Sequence, residues 1–316
     1  MEKVNVGLIG AGDMANSVHY PSLKELEYVN LVAVCDLVED KAKYTAEKFG
    51  IQKMYTSYME MIEKENLDAV YILMPPHILF DSAAYCLQKK LHVFVEKPLG
   101  VCTFQAESLA RLADKNGCIT LVGFNRRFIP MMTYARSFIT ERGKLNQVVS
   151  TFYKKYSAIY YNGSCDVIEM DMIHAVDLLR WMAGGEVTAV KSLVGRSNSP
   201  IPNIYNALVQ FDNGVIGVLL TNWDVGGRIH TFEMHCPSVS AFLNPNNKGI
   251  IYADGKEIEL DTFEIAGSKD FYKYYGYYHQ TRHFIDCVKN GKKTGADFND
   301  AVKTAKLCDM LRANGM

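Results

Sequence analysis

The chain predicts an α/β fold, a doubly wound parallel sheet followed by a second α/β domain built on a large, mostly antiparallel open sheet. Three observations carry this. Through about residue 122, short apolar runs alternate with helix-length segments, the pattern of a parallel sheet covered on both faces. From Gly123 on, long strand-like runs follow one another, with Asn213-Gly214 and Asp254-Gly255 placed as hairpin turns. A length of 316 residues is enough for a large core and two domains, here 1–122 and 123–316.

Taken in order, Val4, Val6, Leu8 and Ile9 form the apolar run of a first buried strand. The chain turns through Gly10, Gly12 and Ala15 into a helix beginning near Asp13, which Pro21 should interrupt or kink. Residues 31–35 make the second strand, ending on Asp36. Residues 40–49 read as a helix stopped by Gly50, 54–55 as a short strand and 58–64 as a helix. The strand 68–74 runs into Pro75-Pro76-His77, then come a helix over 78–89 and a strand over 92–95 that feeds Glu96-Lys97-Pro98. A helix over 104–116 and a strand over 119–122 close the first domain. In the second, strands are expected at 147–156, 187–194, 207–211, 215–222, 231–236 and 250–253. Helices are expected at 171–182, 277–289 and 298–313.

Two stretches carry chemistry. Gly10, Gly12 and Ala15 give the G-x-G-x-x-A turn of a dinucleotide-binding Rossmann domain. Gly10 permits the tight turn, Gly12 leaves room for a pyrophosphate, and Ala15 lets helix pack on strand; the helix N-terminus favours the phosphates. Asp36, 21 residues after Ala15, can accept from the adenosine ribose and would repel a 2′-phosphate, which favours NAD over NADP. Lys97 leaves the carboxyl end of a parallel strand, where ligands sit, and can donate to a substrate hydroxyl and stabilise the alkoxide. Pro98 holds it extended.

Composition excludes several classes. The balance of 34 basic against 35 acidic residues offers no global attraction to nucleic acid or anionic membrane. No apolar run approaches a membrane span, and the start reads as no signal peptide. Eight scattered cysteines without a C-x-x-C pair suggest reduced thiols in the cytoplasm and no zinc site. His279 and His283 have metal-like spacing but no matching carboxylate motif, so no metal is expected. His230 and His235 fall on opposite strand faces.

The glycine turn, Asp36 and Glu96-Lys97-Pro98 followed by Leu99-Gly100 together resemble the Gfo/Idh/MocA family (glucose-fructose oxidoreductase and inositol dehydrogenase-like). The likeness continues through Gly123-Phe124-Asn125-Arg126-Arg127-Phe128, similar to the family's G-x-N-x-R-[FY]. It extends to Phe211-Asp212-Asn213-Gly214 and to Phe284-Ile285-Asp286-Cys287 before Asn290-Gly291. Residues 168–181 resemble the family's D-x-x-x-H-x-x-D segment, whose histidine is the acid/base beside the nicotinamide. His174 and Asp177 match it. Met170 stands where the first aspartate belongs, and Asp171 is one position late, though on an α-helix it would share a face with His174 and Leu178.

The resemblance implies NAD-dependent oxidation of a secondary hydroxyl on a sugar, inositol or related polyol, or the reverse reduction. It implies Lys97, His174 and Asp171 as catalytic residues. Gly10, Gly12, Asp13, Met14, Ala15, Asp36, Met74, Pro75, His77, Glu96 and Lys97 would contact the cofactor. Lys97, Arg126, Tyr160, Asp171 and His174 would contact substrate; read from the residues alone, Tyr156, Tyr160, Tyr161 and Asn162 either line a sugar pocket or, as aromatics in such number, belong to the core or a subunit interface. Arg127 is expected either at substrate or in a salt bridge that ties the two domains together, and Asp177 in a helix-surface pair with Arg180. The free sheet face would build a homodimer or homotetramer. Two rival readings are a redox-neutral NAD enzyme working through transient oxidation, and a non-enzymatic NAD-binding regulator.

Overall fold

A computed structural model of the protein describes residues 3–155 and 158–313. They divide into two compact units. One comprises residues 3–123, Phe271–Lys273 and Tyr277–Val302; the other comprises Phe124–Asp270, Tyr274–Gly276 and 303–313.

In the first unit, β1 (Val4–Ile9), β2 (Val29–Cys35), β3 (Lys53–Tyr55), β4 (Ala69–Ile72), β5 (His92–Val95) and β6 (Thr120–Val122) pair in parallel in the order β3-β2-β1-β4-β5-β6. Helices α1 (Tyr20–Lys24), α2 (Glu39–Phe49), α3 (Tyr58–Lys64), α4 (Pro76–Gln88) and α5 (Thr103–Asn116) separate the strands. Val6, Leu8, Val70, Ile72, Val93 and Val95 are buried, which is why these strands read as apolar runs. The order reverses direction between β1 and β4, and ligands of such sheets bind at that switch point.

The expected break at Pro21 takes another form. The chain is helical from Asp13, residues Ala15–His19 form a π-helical turn, and α1 follows directly. Proline supplies no N–H to the carbonyl one turn earlier, and the wider turn lies immediately before it.

The second unit begins with α6 (Pro130–Thr140) and β7 (Gln147–Lys155), then the short β8 (Ile159–Tyr160) and β9 (Cys165–Asp166), and α7 (Ile173–Ala183). Strands β10 (Val187–Gly195), β11 (Ile204–Phe211), β12 (Ile216–Asn222), β13 (Asp224–Cys236), β14 (Val239–Leu243), β15 (Lys248–Ala253) and β16 (Lys256–Asp261) complete a sheet ordered β10-β11-β12-β7-β13-β14-β15-β16. Its pairs are antiparallel apart from β12 with β7. One face packs on α7 through β7 and β12. Asp254 and Gly255 both take positive φ in the β15–β16 hairpin, as an Asp-Gly turn should. Helices α8 (Thr262–Ala266), α9 (Phe271–Tyr274), α10 (Tyr277–Asn290) and α11 (Phe298–Ala313) end the chain.

α10 groups with the parallel sheet, where Phe284 packs edge-on against Tyr71 and Phe94, and the Tyr28 hydroxyl donates to Asp286 at 2.8 Å. One expectation needs correction. The helix expected over 171–182 opens with a π-helical turn, Ile168–Met172, and is α-helical only from Ile173. Asp171 thus belongs to the π turn and His174 to the first turn of α7.

Candidate active site

The glycine turn lies at the carboxyl end of β1. Gly10 has φ +111°, and a Cβ there would stand 2.5 Å from the Leu73 carbonyl oxygen beyond β4, so only glycine lets these two chain segments meet. Gly12 is the opposite case: an added Cβ would meet nothing within 4 Å. It faces an open groove of about 490 Å³ that Asp13, Asn16, Lys41 and Lys48 also line. Met14 is exposed and Ala15 is buried, as close helix packing requires.

Asn16, which no motif singled out, braces the turn. Its amide donates to Ala11 O at 2.9 Å, Gly12 O at 3.2 Å and Thr45 Oγ1 at 3.0 Å. Asp36 at the tip of β2 accepts from the Ala11 N–H at 2.8 Å and the Val38 N–H at 2.9 Å. A carboxylate has about four acceptor sites, so this half-buried group keeps capacity for two ribose hydroxyls. Open space over Gly12 and spare acceptors on Asp36 fit a dinucleotide. Met74, Pro75 and His77 follow β4 on the same edge, Met74 with the Ser82 hydroxyl 3.6 Å from its sulfur and His77 exposed in the first turn of α4.

Glu96 and Lys97 leave β5 on that edge, and the Lys97–Pro98 peptide is cis. The Glu96 carboxylate is engaged within the fold. His19 Nε2 lies 2.7 Å from Glu96 Oε1, and the Lys97 N–H reaches Glu96 Oε2 at 3.2 Å. His19 is fully buried, its ring edge-on to Tyr71, Phe94 and Tyr277. A Cβ on Gly123 would come within 3.0 Å of Glu96 Oε1. Glu96 thus anchors the backbone from which the half-buried Lys97 extends. Sequence reasoning missed His19, because nothing local pairs it with a carboxylate 77 residues on.

In the second unit, His174 is buried in the first turn of α7, edge-on to Phe124 at 6.5 Å. One turn on, Asp177 is 1 % exposed, so it lies in the interior and not on a helix surface. Arg127 binds it through two bonds, Nε to Oδ2 at 2.7 Å and Nη2 to Oδ1, and Thr304 donates to it at 2.9 Å. Arg180 donates to the same Thr304 Oγ1 at 2.7 Å. Arg127 is thus engaged in a salt bridge, and both of its ends lie in the second unit and not in two domains.

Asp171 pairs with Lys154, a residue the sequence reading did not select. Burial pulls the Lys154 ammonium from 10.5 down to about 8, with Asp171 opposing the shift. Arg126 is buried with its guanidinium 4.8 Å from the Phe152 ring centre and 5.7 Å from that of Tyr275. Tyr160 is half-buried in the β8–β9 pair, and Tyr161 and Asn162 follow with positive φ. Tyr156 lies outside the described residues. His283 Nε2 is 2.6 Å from the Thr294 carbonyl. Among the described residues no group of three or more His, Cys, Asp or Glu could hold a metal ion.

Residues 4–124 match the model described as "Oxidoreductase family, NAD-binding Rossmann fold", and residues 143–241 match the GFO/IDH/MocA C-terminal domain. The chain is 26% identical to the myo-inositol 2-dehydrogenase of Thermotoga maritima, over 94% of this chain and 92% of that one. Among solved structures it resembles a dehydrogenase from Chromobacterium violaceum, with a TM-score of 0.92 at 20% identity, covering 99% of this chain and 95% of that one. It also resembles a levoglucosan dehydrogenase solved with NADH and levoglucosan, with a TM-score of 0.84 at 18% identity, over 99% and 97% of the two chains. Sheet order, glycine turn and matched models agree: the chain belongs to the GFO/IDH/MocA oxidoreductase family, with an NAD-binding Rossmann fold at its N-terminal end.

Proposed function

We propose that this protein is an NAD-dependent dehydrogenase moving a hydride between the nicotinamide and a secondary hydroxyl or ketone of a sugar, inositol or related polyol. The observation that carries the reading is an open glycine turn tipped by Asp36 on the same sheet edge as Lys97. The relative described as myo-inositol 2-dehydrogenase supports a polyol substrate. Bound NAD supplies the two-electron hydride acceptor.

Gly10, Gly12, Asp13, Met14 and Ala15 cradle its phosphates; Met74, Pro75 and His77 also contact the cofactor, His77 near the nicotinamide. Asp36 takes the ribose hydroxyls and disfavours NADP. The Lys97 ammonium donates to the reacting oxygen and stabilises the alkoxide, and the His174 imidazole takes the hydroxyl proton. Asp171 and Tyr160 bind further hydroxyls. In reduction the proton runs back from His174 to the carbonyl oxygen.

Leu208, Ile216, Phe242 and Tyr252, exposed on one face of the large sheet, support a homodimer or homotetramer through it.

Calorimetry with NAD and NADP, followed by NADH absorbance with a panel of sugars and inositols, tests the reading. Tight NAD binding and NADH formation with one compound class are expected, and Lys97→Ala should lose turnover while keeping its NAD affinity. NAD binding without NADH from any compound, or a preference for NADP, would overturn it.

A further inference from the structure

The second unit gathers positive charge that its own carboxylates do not balance. The Arg126 guanidinium and Lys154 ammonium both lie over the Phe152 ring, at 4.8 and 5.3 Å from its centre. Arg228 Nη2 donates to the Tyr275 hydroxyl at 3.2 Å, and Tyr275 also flanks Arg126. Against these three cations the described residues set one carboxylate, Asp171, which Lys154 already binds. Asp224 is occupied by Ser197 and Asn198 at 2.6 and 2.7 Å.

Arg126 is 4 % exposed, and its Nε and Nη1 have no hydrogen-bond partner among the described residues. A buried guanidinium with open donors is costly, and crowding further cations around it adds to that cost. His230, stacked on Phe152 at 3.7 Å, adds no charge: burial and the same cations hold it neutral. An anion offering two or three oxygens would satisfy the open donors and offset the repulsion.

We propose that Arg126, Lys154 and Arg228 form an anion subsite for the carboxylate or phosphate of an acidic polyol, so that the substrate is a sugar acid or sugar phosphate. This rests on the dehydrogenase reading above. Lys154 ties the subsite, through Asp171, to the turn that precedes His174.

The test is calorimetric titration of the NADH-loaded protein with D-glucuronate, D-glucose 6-phosphate and D-glucose, with NAD reduction by the same compounds followed in parallel. One of the two anions should bind at least tenfold more tightly than glucose, and which one does so identifies the group. Arg228 is exposed, so Arg228→Gln should fold with an unchanged melting temperature yet lose at least tenfold of the anion's advantage over glucose; Arg228→Lys should recover part of it. Equal binding of all three sugars, or an equal effect of Arg228→Gln on each, overturns the subsite. NADH formed from neutral sugars with no preference for an acid would do so too, while leaving the dehydrogenase reading intact. Anion binding that responds to Arg228→Gln without NADH from any compound would uphold the subsite and sink the dehydrogenase reading.

Discussion

Gly10 and Gly12 stand two positions apart under opposite constraints. A methyl at Gly10 would collide with the Leu73 carbonyl in a left-handed backbone, so Gly10→Ala should cost at least ~2 kcal/mol in a denaturant titration. A side chain at Gly12 meets only open space, so Gly12→Val should leave the melting temperature within a degree or two and lower NAD affinity at least a hundredfold. Arg127 is a third case. Its carboxylate partner is buried and shared with Thr304, so Arg127→Ala removes a two-bonded countercharge from a buried carboxylate and should cost about 3–5 kcal/mol by equilibrium unfolding. Lys154 adds a pH signature. Its proton is held less tightly in the folded chain, about 8 against 10.5, so the unfolded chain binds more protons between those values and stability rises with pH across that window. Wild type should therefore gain stability relative to Lys154→Met from pH 8 to 10.5, whereas affinity for an acidic sugar should fall as pH rises through 8.

At the scale of elements, legibility followed locality. The strands β1, β2, β4 and β5 announced themselves because burial on both faces leaves uninterrupted apolar runs. α3 and α11 have the bounds read from periodicity, and the Asp-Gly turn needed only its two residues. Edge strand β16, KEIELD, was missed because charges cover an exposed edge. The π turns Ala15–His19 and Ile168–Met172 leave no mark in a 3.6-residue pattern. The candidate site divided the same way. The turn residues and His174 sit in contiguous motifs, whereas His19 beside Glu96, Lys154 beside Asp171 and Arg228 beside Tyr275 are joined only by tertiary packing.

For the whole molecule, the decisive quantity is what covers the free face of the large sheet. Leu208 and Phe242 belong to one row across it, through Val218, Val149 and Glu233. Sedimentation should give a dimer or tetramer, and Leu208→Glu combined with Phe242→Glu should shift it toward monomer without changing the far-ultraviolet circular dichroism. A monomeric wild type would remove the oligomer from the reading.

The two backbone bonds to Asp36 bear on how cofactor preference could evolve. A change to NADP ordinarily begins by discarding this acid, but here the same carboxylate pins the Ala11 N–H and closes the start of the following turn at Val38. Asp36→Ala would loosen the cradle for either dinucleotide, at a cost of about 1–3 kcal/mol. A neutral acceptor such as asparagine or serine would have to come first and a basic residue later. Architecture as well as charge would then guard a preference for NAD.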